Sequence, residues 1–264
     1  ANLFLAIFVY HRNKKARVNQ TFAVLSLCLA SWNFGVFSGY LPLLEHIIEL
    51  WSKIFRTGLL FVPPASLHFC LILSDNLEKK SNQQGLLTAY ILACWFSFFN
   101  WTPYFVAGLK QTPWGYSPVA GWGYYLFIIN FLFFIVWGLL VLYKKYQITT
   151  SPLLANRIRY LFAGSLMAVI LGSINFLAIL GIKIYPIGNM ATVFYAGIVA
   201  YAICKYHLLD IEVIIEKGIV YATLTLFISG IYGIIVGLTQ WLFSATFAFT
   251  SLLGNVLAAM IIAI

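Results

Sequence analysis

The sequence predicts an all-α, polytopic transmembrane helix bundle: seven spans, then a cytoplasmic amphipathic linker, then a two-helix membrane hairpin. Three observations lead there. The 264 residues are 62% hydrophobic and 9% charged, whereas a soluble domain carries about a quarter charged residues. Apolar stretches recur at roughly 20 residues, the length that crosses a ~30 Å hydrocarbon core as helix, while barrel strands would alternate over ~10 residues. Lysine and arginine are divided unequally between alternate connections, which orients the bundle.

The first span is short. Residues 1–10 are apolar and run into HRNKKAR, without the charged start or small-residue cleavage site of a signal peptide. Further spans are expected at residues 19–44, 54–73, 86–104, 122–143, 160–182 and 189–206, and then at 221–243 and 250–264. Both ends read as cut inside a helix, so the chain is expected to be a segment of a longer protein. The division is a seven-span bundle (1–206), a juxtamembrane linker (207–220) and an additional hairpin (221–264).

Orientation follows from the basic residues. One set of connections holds Arg12, Lys14, Lys15, Arg17, Lys79, Lys80, Lys144, Lys145, Arg157, Arg159, Lys205 and Lys217; the other holds Lys53, Arg56, Lys110 and Lys183. Twelve against four places the amino terminus outside and the carboxyl terminus in the cytoplasm. The net charge of +9 is then a matter of topology and anionic membrane lipid rather than of nucleic acid. All seven acidic residues are expected in the connections.

The longest outer connection, WTPYFVAGLKQTPWGYSPVAGWGYY, is punctuated by proline and glycine and rich in Trp and Tyr. It reads as a turn-filled hairpin or cap. Trp114, Tyr116 and Trp122 then form either an aromatic belt at the lipid interface or a lid over the mouth of the bundle.

Catalysis within these residues is not expected, because no phosphate-binding loop, zinc-protease motif, serine-nucleophile motif or intramembrane carboxylate pair occurs. No cofactor or metal is predicted. Cys28, Cys70, Cys94 and Cys204 fall in different apolar runs and read as small core residues. A retinal Schiff base would need a lysine deep in the seventh span, which has only Lys205 at its inner end.

Ionisable residues inside a membrane are functional suspects because burying them is expensive. Arg56 lies about one turn into the expected third span, where it either snorkels to headgroups or faces a polar site. His68 follows Pro63 and Pro64, which remove backbone donors and favour a bend. It is either a hydrogen-bonded structural histidine or part of a relay of that bend.

The polar residues Asn33, Asn100, Asn130, Asn175, Asn189 and Thr192 map to the outer halves of their spans, alongside Arg56, Trp101 and Tyr195. Such groups serve as glue between helices, or, converging at one depth, line a small ligand pocket open to the outside. Gly35–Gly39 and Gly233–Gly237 have G-x-x-x-G spacing, a weak pointer to a homodimer.

In KYHLLDIEVIIEKGIVYATLT, Asp210 is placed to cap a helix on which Ile211 and Ile215 share an apolar face while Glu212, Glu216 and Lys217 take the other. Such a helix lies along the inner membrane surface. It is either an elbow or a coupling element.

NQTFAVLSLCLASWNFGVF, the Arg56, Pro64, His68 and Phe69 pattern, RIRYLFAG, YPIGN and above all YAICKYHLLDIEVIIEKGIVYATLT resemble the seven-helix region at the amino terminus of bacterial sensor histidine kinases. The resemblance implies a sensor module in the bacterial cell membrane, ahead of cytoplasmic PAS or GAF domains and a kinase core in the same chain. It also implies that kinase activity resides beyond residue 264. It implies no particular ligand; the stimulus expected from the polar residues of the outer half is a small molecule or membrane-borne. The rival reading is a small-solute transporter or channel subunit, against which stand the near absence of midplane charges and of an internal repeat. Pro63, Pro64, His68, Asp210, Ile211 and Ile215 are the expected transmission residues.

Overall fold

The computed structural model describes residues 1–41, 44–112, 115–182 and 188–206, without the side chains of residues 189–190 and 204–206. The linker and hairpin expectations, including Asp210, Ile211 and Ile215, lie outside the described residues. Among those described, seven helices run α1 Asn2–Arg12, α2 Arg17–Ser38, α3 Glu45–Leu73, α4 Lys80–Phe99, α5 Trp122–Ile148, α6 Pro152–Ile179 and α7 Gly188–Tyr206. Between α4 and α5 stand two strands, β1 Val106–Thr112 and β2 Gly115–Ala120. The expected all-α class therefore needs one correction. The long connection is β-structured: its turn residues leave a short segment on each side, and the two pair antiparallel, Lys110 opposite Ser117 and Thr112 opposite Gly115.

Four helices, α2, α3, α5 and α6, are long and apolar enough to cross a membrane. Their outward faces carry large apolar side chains such as Phe133, Ile129 and Ile170, each exposed by more than half, as contact with lipid rather than water requires. The chain is a multi-pass membrane protein. Helix α4 opens on the polar stretch KSNQQG before turning apolar.

Helix α3 is the hub, packing on α2, α4 and α5 and touching β1. It begins at Glu45, two turns before the expected edge at residue 54. The extension is amphipathic, and an i,i+4 ion pair between Glu49 and Lys53 at 2.7 Å supports it. Glu45 and Glu49 thus sit in a helix, and the expectation that every acidic residue lies in a connection fails for them. Beyond, α3 continues as helix through Pro63 and Pro64, both buried.

Two packing devices set the bundle. Toward the C-terminal end of α3, Leu67 and Leu71 meet Leu86 and Ala89 of α4 and Phe134 of α5 in a sealed apolar cluster. Where α2 crosses α3, Gly58 admits the neighbouring backbone: a Cβ there would stand 2.5 Å from Ser31 Cβ, and the Ser31 hydroxyl donates to the Phe55 carbonyl at 3.0 Å. Gly35 faces Phe55 in the same crossing, and Gly39 faces the β-hairpin. Both glycines of that G-x-x-x-G pair therefore serve packing within the chain. Cys70 is buried and Cys28 half-buried, but Cys94 is exposed, so it is not the core residue expected.

The connections alternate between two ends. At one end Ser151 accepts from the Leu154 amide at 3.4 Å to cap α6, with Pro152 in the first turn, and Lys145 reaches Asp75 at 3.0 Å. At the other end the β-hairpin folds back over α2, α3, α5 and α6.

Candidate functional site

The hairpin is fixed by its seam with α2 and by an aromatic base. The Tyr116 amide donates to the Gly39 carbonyl at 2.8 Å, and Gly115 has φ +131° with its Cα against the same carbonyl: a Cβ would stand 2.3 Å from that oxygen. A side chain at position 115 is thus excluded twice, by strain and by contact. Below, Phe105 is fully buried against Phe96, Tyr124 and Phe127, its ring 5.1 Å from that of Tyr124. The strands therefore have a fixed floor beneath them.

Under the hairpin lies a cavity of about 730 Å³, counting its open mouth. Leu109, Tyr116, Ser117 and Pro118 roof it; α2 contributes Trp32 and Val36, α3 Ser52, Arg56 and Leu59, α5 Tyr124, and α6 Asn175 and Ile179. Its lining is mostly apolar with a few convergent polar groups, the composition of a small-molecule site.

Arg56 dominates the site electrostatically. It is 5% exposed, so it does not snorkel. Because α3 starts early, the residue stands about three turns in, not one, and its guanidinium stays inside the bundle. Nη1 donates to Asn100 Oδ1 at 2.8 Å and Nη2 donates to the Ser52 hydroxyl. Asn100 is itself held by donation from Nδ2 to the Lys53 carbonyl at 2.9 Å. Both partners of the cation are neutral. Glu49, two turns earlier on α3, is engaged with Lys53, and no carboxylate among the described residues lies within ion-pair distance of Arg56. Tyr124 is fully buried, and its hydroxyl has no hydrogen-bond partner among the described residues.

Of the expected pocket residues, Arg56, Asn100 and Asn175 come together here, and of the expected lid residues Tyr116 does. Asn33 and Thr192 instead exchange hydrogen bonds at 3.0 and 3.2 Å, clasping α2 to α7. Thr192 and the buried Tyr195 line a second, almost wholly apolar cavity of about 680 Å³ deeper between α2, α3, α5, α6 and α7. Asn130 borders neither cavity, and its Nδ2 is buried without a partner among the described residues. Trp101 and Trp122 are exposed by 52% and 58% and border neither cavity, as interface aromatics do. Trp114 and the Asn189 side chain lie outside the described residues. His68 Nδ1 and the Tyr90 hydroxyl are 3.1 Å apart, linking α3 to α4.

Sequence reasoning missed Ser52, Tyr124 and the roof residues. Ser52 was findable as the i−4 neighbour of Arg56 on a helix. Tyr124 was not, standing among interface aromatics of the same composition.

The N-terminal 7TM region of histidine kinase, as a family, matches residues 1–212. No curated protein and no solved structure matches the chain. The match takes in all seven helices, the hairpin and the cavity, and the chain therefore belongs to the family of N-terminal 7TM regions of histidine kinases.

Proposed function

We propose that the chain is the sensory module of a bacterial two-component sensor histidine kinase. It detects an extracellular or membrane-borne stimulus in the cavity beneath the β-hairpin and passes a helix rearrangement to cytoplasmic output domains beyond residue 264. The observation that carries this reading is the cavity itself: four helices and the hairpin converge on Arg56, Ser52, Tyr124 and Asn175, so an occupant touches elements that must move relative to one another for a signal to leave. In this reading the amino terminus and hairpin are outside and the basic connections cytoplasmic, as the distribution of lysine and arginine favours. Helices α2 to α7 cross the membrane and α1 lies in the first span, 207–220 is the juxtamembrane linker, and 221–264 is a further hairpin.

The mechanism is a population shift between two packings of the bundle. Arg56 and Pro63–Pro64 lie on the same helix, and His68 bonds to Tyr90 one turn beyond the prolines. A change in the cavity that tilts α3 therefore reaches α4 through that contact, and the seventh helix carries it to Asp210, Ile211 and Ile215. The test is autophosphorylation of the full kinase in lipid nanodiscs. Asn175→Ala, in the cavity wall, is expected to shift basal autophosphorylation roughly fivefold or more, whereas Asn130→Ala, off the cavity, leaves it near wild type. Equal effects of the two substitutions, with both proteins inserted normally, would overturn the reading.

A further inference from the structure

We infer that the cavity beneath the hairpin takes a small organic carboxylate, bound through the Arg56 guanidinium and the Tyr124 hydroxyl. The inference rests on the sensory reading of that cavity and adds its ligand class. Four observations carry it. Arg56 is 5% exposed and faces no carboxylate within ion-pair distance among the described residues. A buried charge left without a counter-charge is strongly destabilising, and within a membrane span such a residue needs a partner. Asn100 and Ser52 accept from Nη1 and Nη2, which leaves three of the five guanidinium N–H groups for another acceptor. Tyr124 supplies a fourth donor, its hydroxyl buried, without a partner among the described residues, and in the wall of the same cavity.

The rest of the chemistry selects among anions. The site holds a single uncompensated positive charge, which a monoanion neutralises and a phosphate dianion would overshoot. A planar carboxylate fits the guanidinium fork. The remaining wall is Trp32, Val36, Leu59, Leu109, Pro118 and Ile179, an apolar surface that rewards burying a hydrocarbon body and offers nothing to a bare ion.

Thermal unfolding of the full chain in phosphatidylcholine nanodiscs tests this, first on the unsubstituted protein. Hexanoate added to the buffer, or oleate included in the bilayer, is expected to raise the unfolding temperature, and whichever does so identifies the soluble or membrane-borne source. Hexanamide, the neutral isostere, is expected to do nothing. Tyr124→Phe, which keeps the ring in place, weakens the apparent affinity about three- to tenfold, and Arg56→Gln weakens it roughly 100-fold or more. Stabilisation by hexanamide equal to that by hexanoate would overturn the assignment, as would stabilisation by chloride alone or full retention of the effect in Tyr124→Phe. The sensory reading fails separately: hexanoate that binds in an Arg56-dependent manner but leaves autophosphorylation unchanged supports the carboxylate and contradicts the sensor.

Discussion

The two halves of α3 are built for different purposes. Toward its C-terminal end, Leu67 and Leu71 are fully buried with Leu86, Ala89 and Phe134. Toward its start, Ser52 and Arg56 are also buried but face a cavity roofed by a two-stranded hairpin. In the first, Leu67 and Leu71 are packed against α4 and α5 while Val62, Ser66 and Cys70 border only the almost wholly apolar cavity; the other half has a charge, neutral acceptors and open space. A helix bundle in lipid gains its stability from packing and interhelical hydrogen bonds rather than from water exclusion. The sealed half therefore holds the bundle, and the polar half, where packing is given up, is where binding energy can be used.

The comparison can be broken first at the sealed half. Leu67→Ala removes a fully buried side chain from the tightest cluster, and its unfolding free energy in micelles is expected to fall by about 2 kcal/mol or more, with ligand-dependent stabilisation by hexanoate retained. Next is the hairpin seam. Gly115→Ala sets a Cβ against the Gly39 carbonyl at a positive φ, a cost of roughly 1–3 kcal/mol, and hydrogen exchange should rise in β1 and β2 while the amides of α3 beyond Pro64 stay protected. A smaller effect is expected at the His68–Tyr90 contact, where Tyr90→Phe costs about 0.5–1.5 kcal/mol; a loss of kinase response out of proportion to that cost would place the contact in the signal route. Smallest is Lys145→Ala. Its Asp75 partner is largely exposed, and the unfolding free energy should stay within about 0.5 kcal/mol of wild type.

How far the sequence spoke for this structure depends on which coordinate of a helix is asked about. Position along the axis was legible, because apolar runs mark where each helix lies, and Arg56, Asn100 and Asn175, expected at one level, do come together at one cavity. Rotation about the axis was not. Helix α5 is apolar on nearly every face, so nothing in its pattern separates Asn130, which borders neither cavity, from Tyr124, which lines one; periodicity assigns a face only where polar and apolar residues alternate around the helix. The start of α3 was misplaced for a related reason. Glu45, Glu49 and Lys53 read as part of the connection before the span, whereas they belong to the same helix, ahead of its apolar stretch. The β-hairpin was half legible: proline and glycine mark the turns, but pairing of Val106–Thr112 with Gly115–Ala120 depends on the seam with Gly39, a contact far away in sequence.

The difference between the halves is measured most directly by the reactivity of single cysteines in a background with Cys28, Cys70, Cys94 and Cys204 replaced. Val36→Cys and Ile179→Cys line the cavity, and Leu71→Cys sits in the sealed cluster. In intact vesicles the membrane-impermeant, anionic methanethiosulfonate ethylsulfonate should label positions 36 and 179 from the hairpin side and leave position 71 untouched, with hexanoate slowing the first two. Equal labelling at all three positions, or none at 36 and 179, would contradict an open polar half above a sealed one.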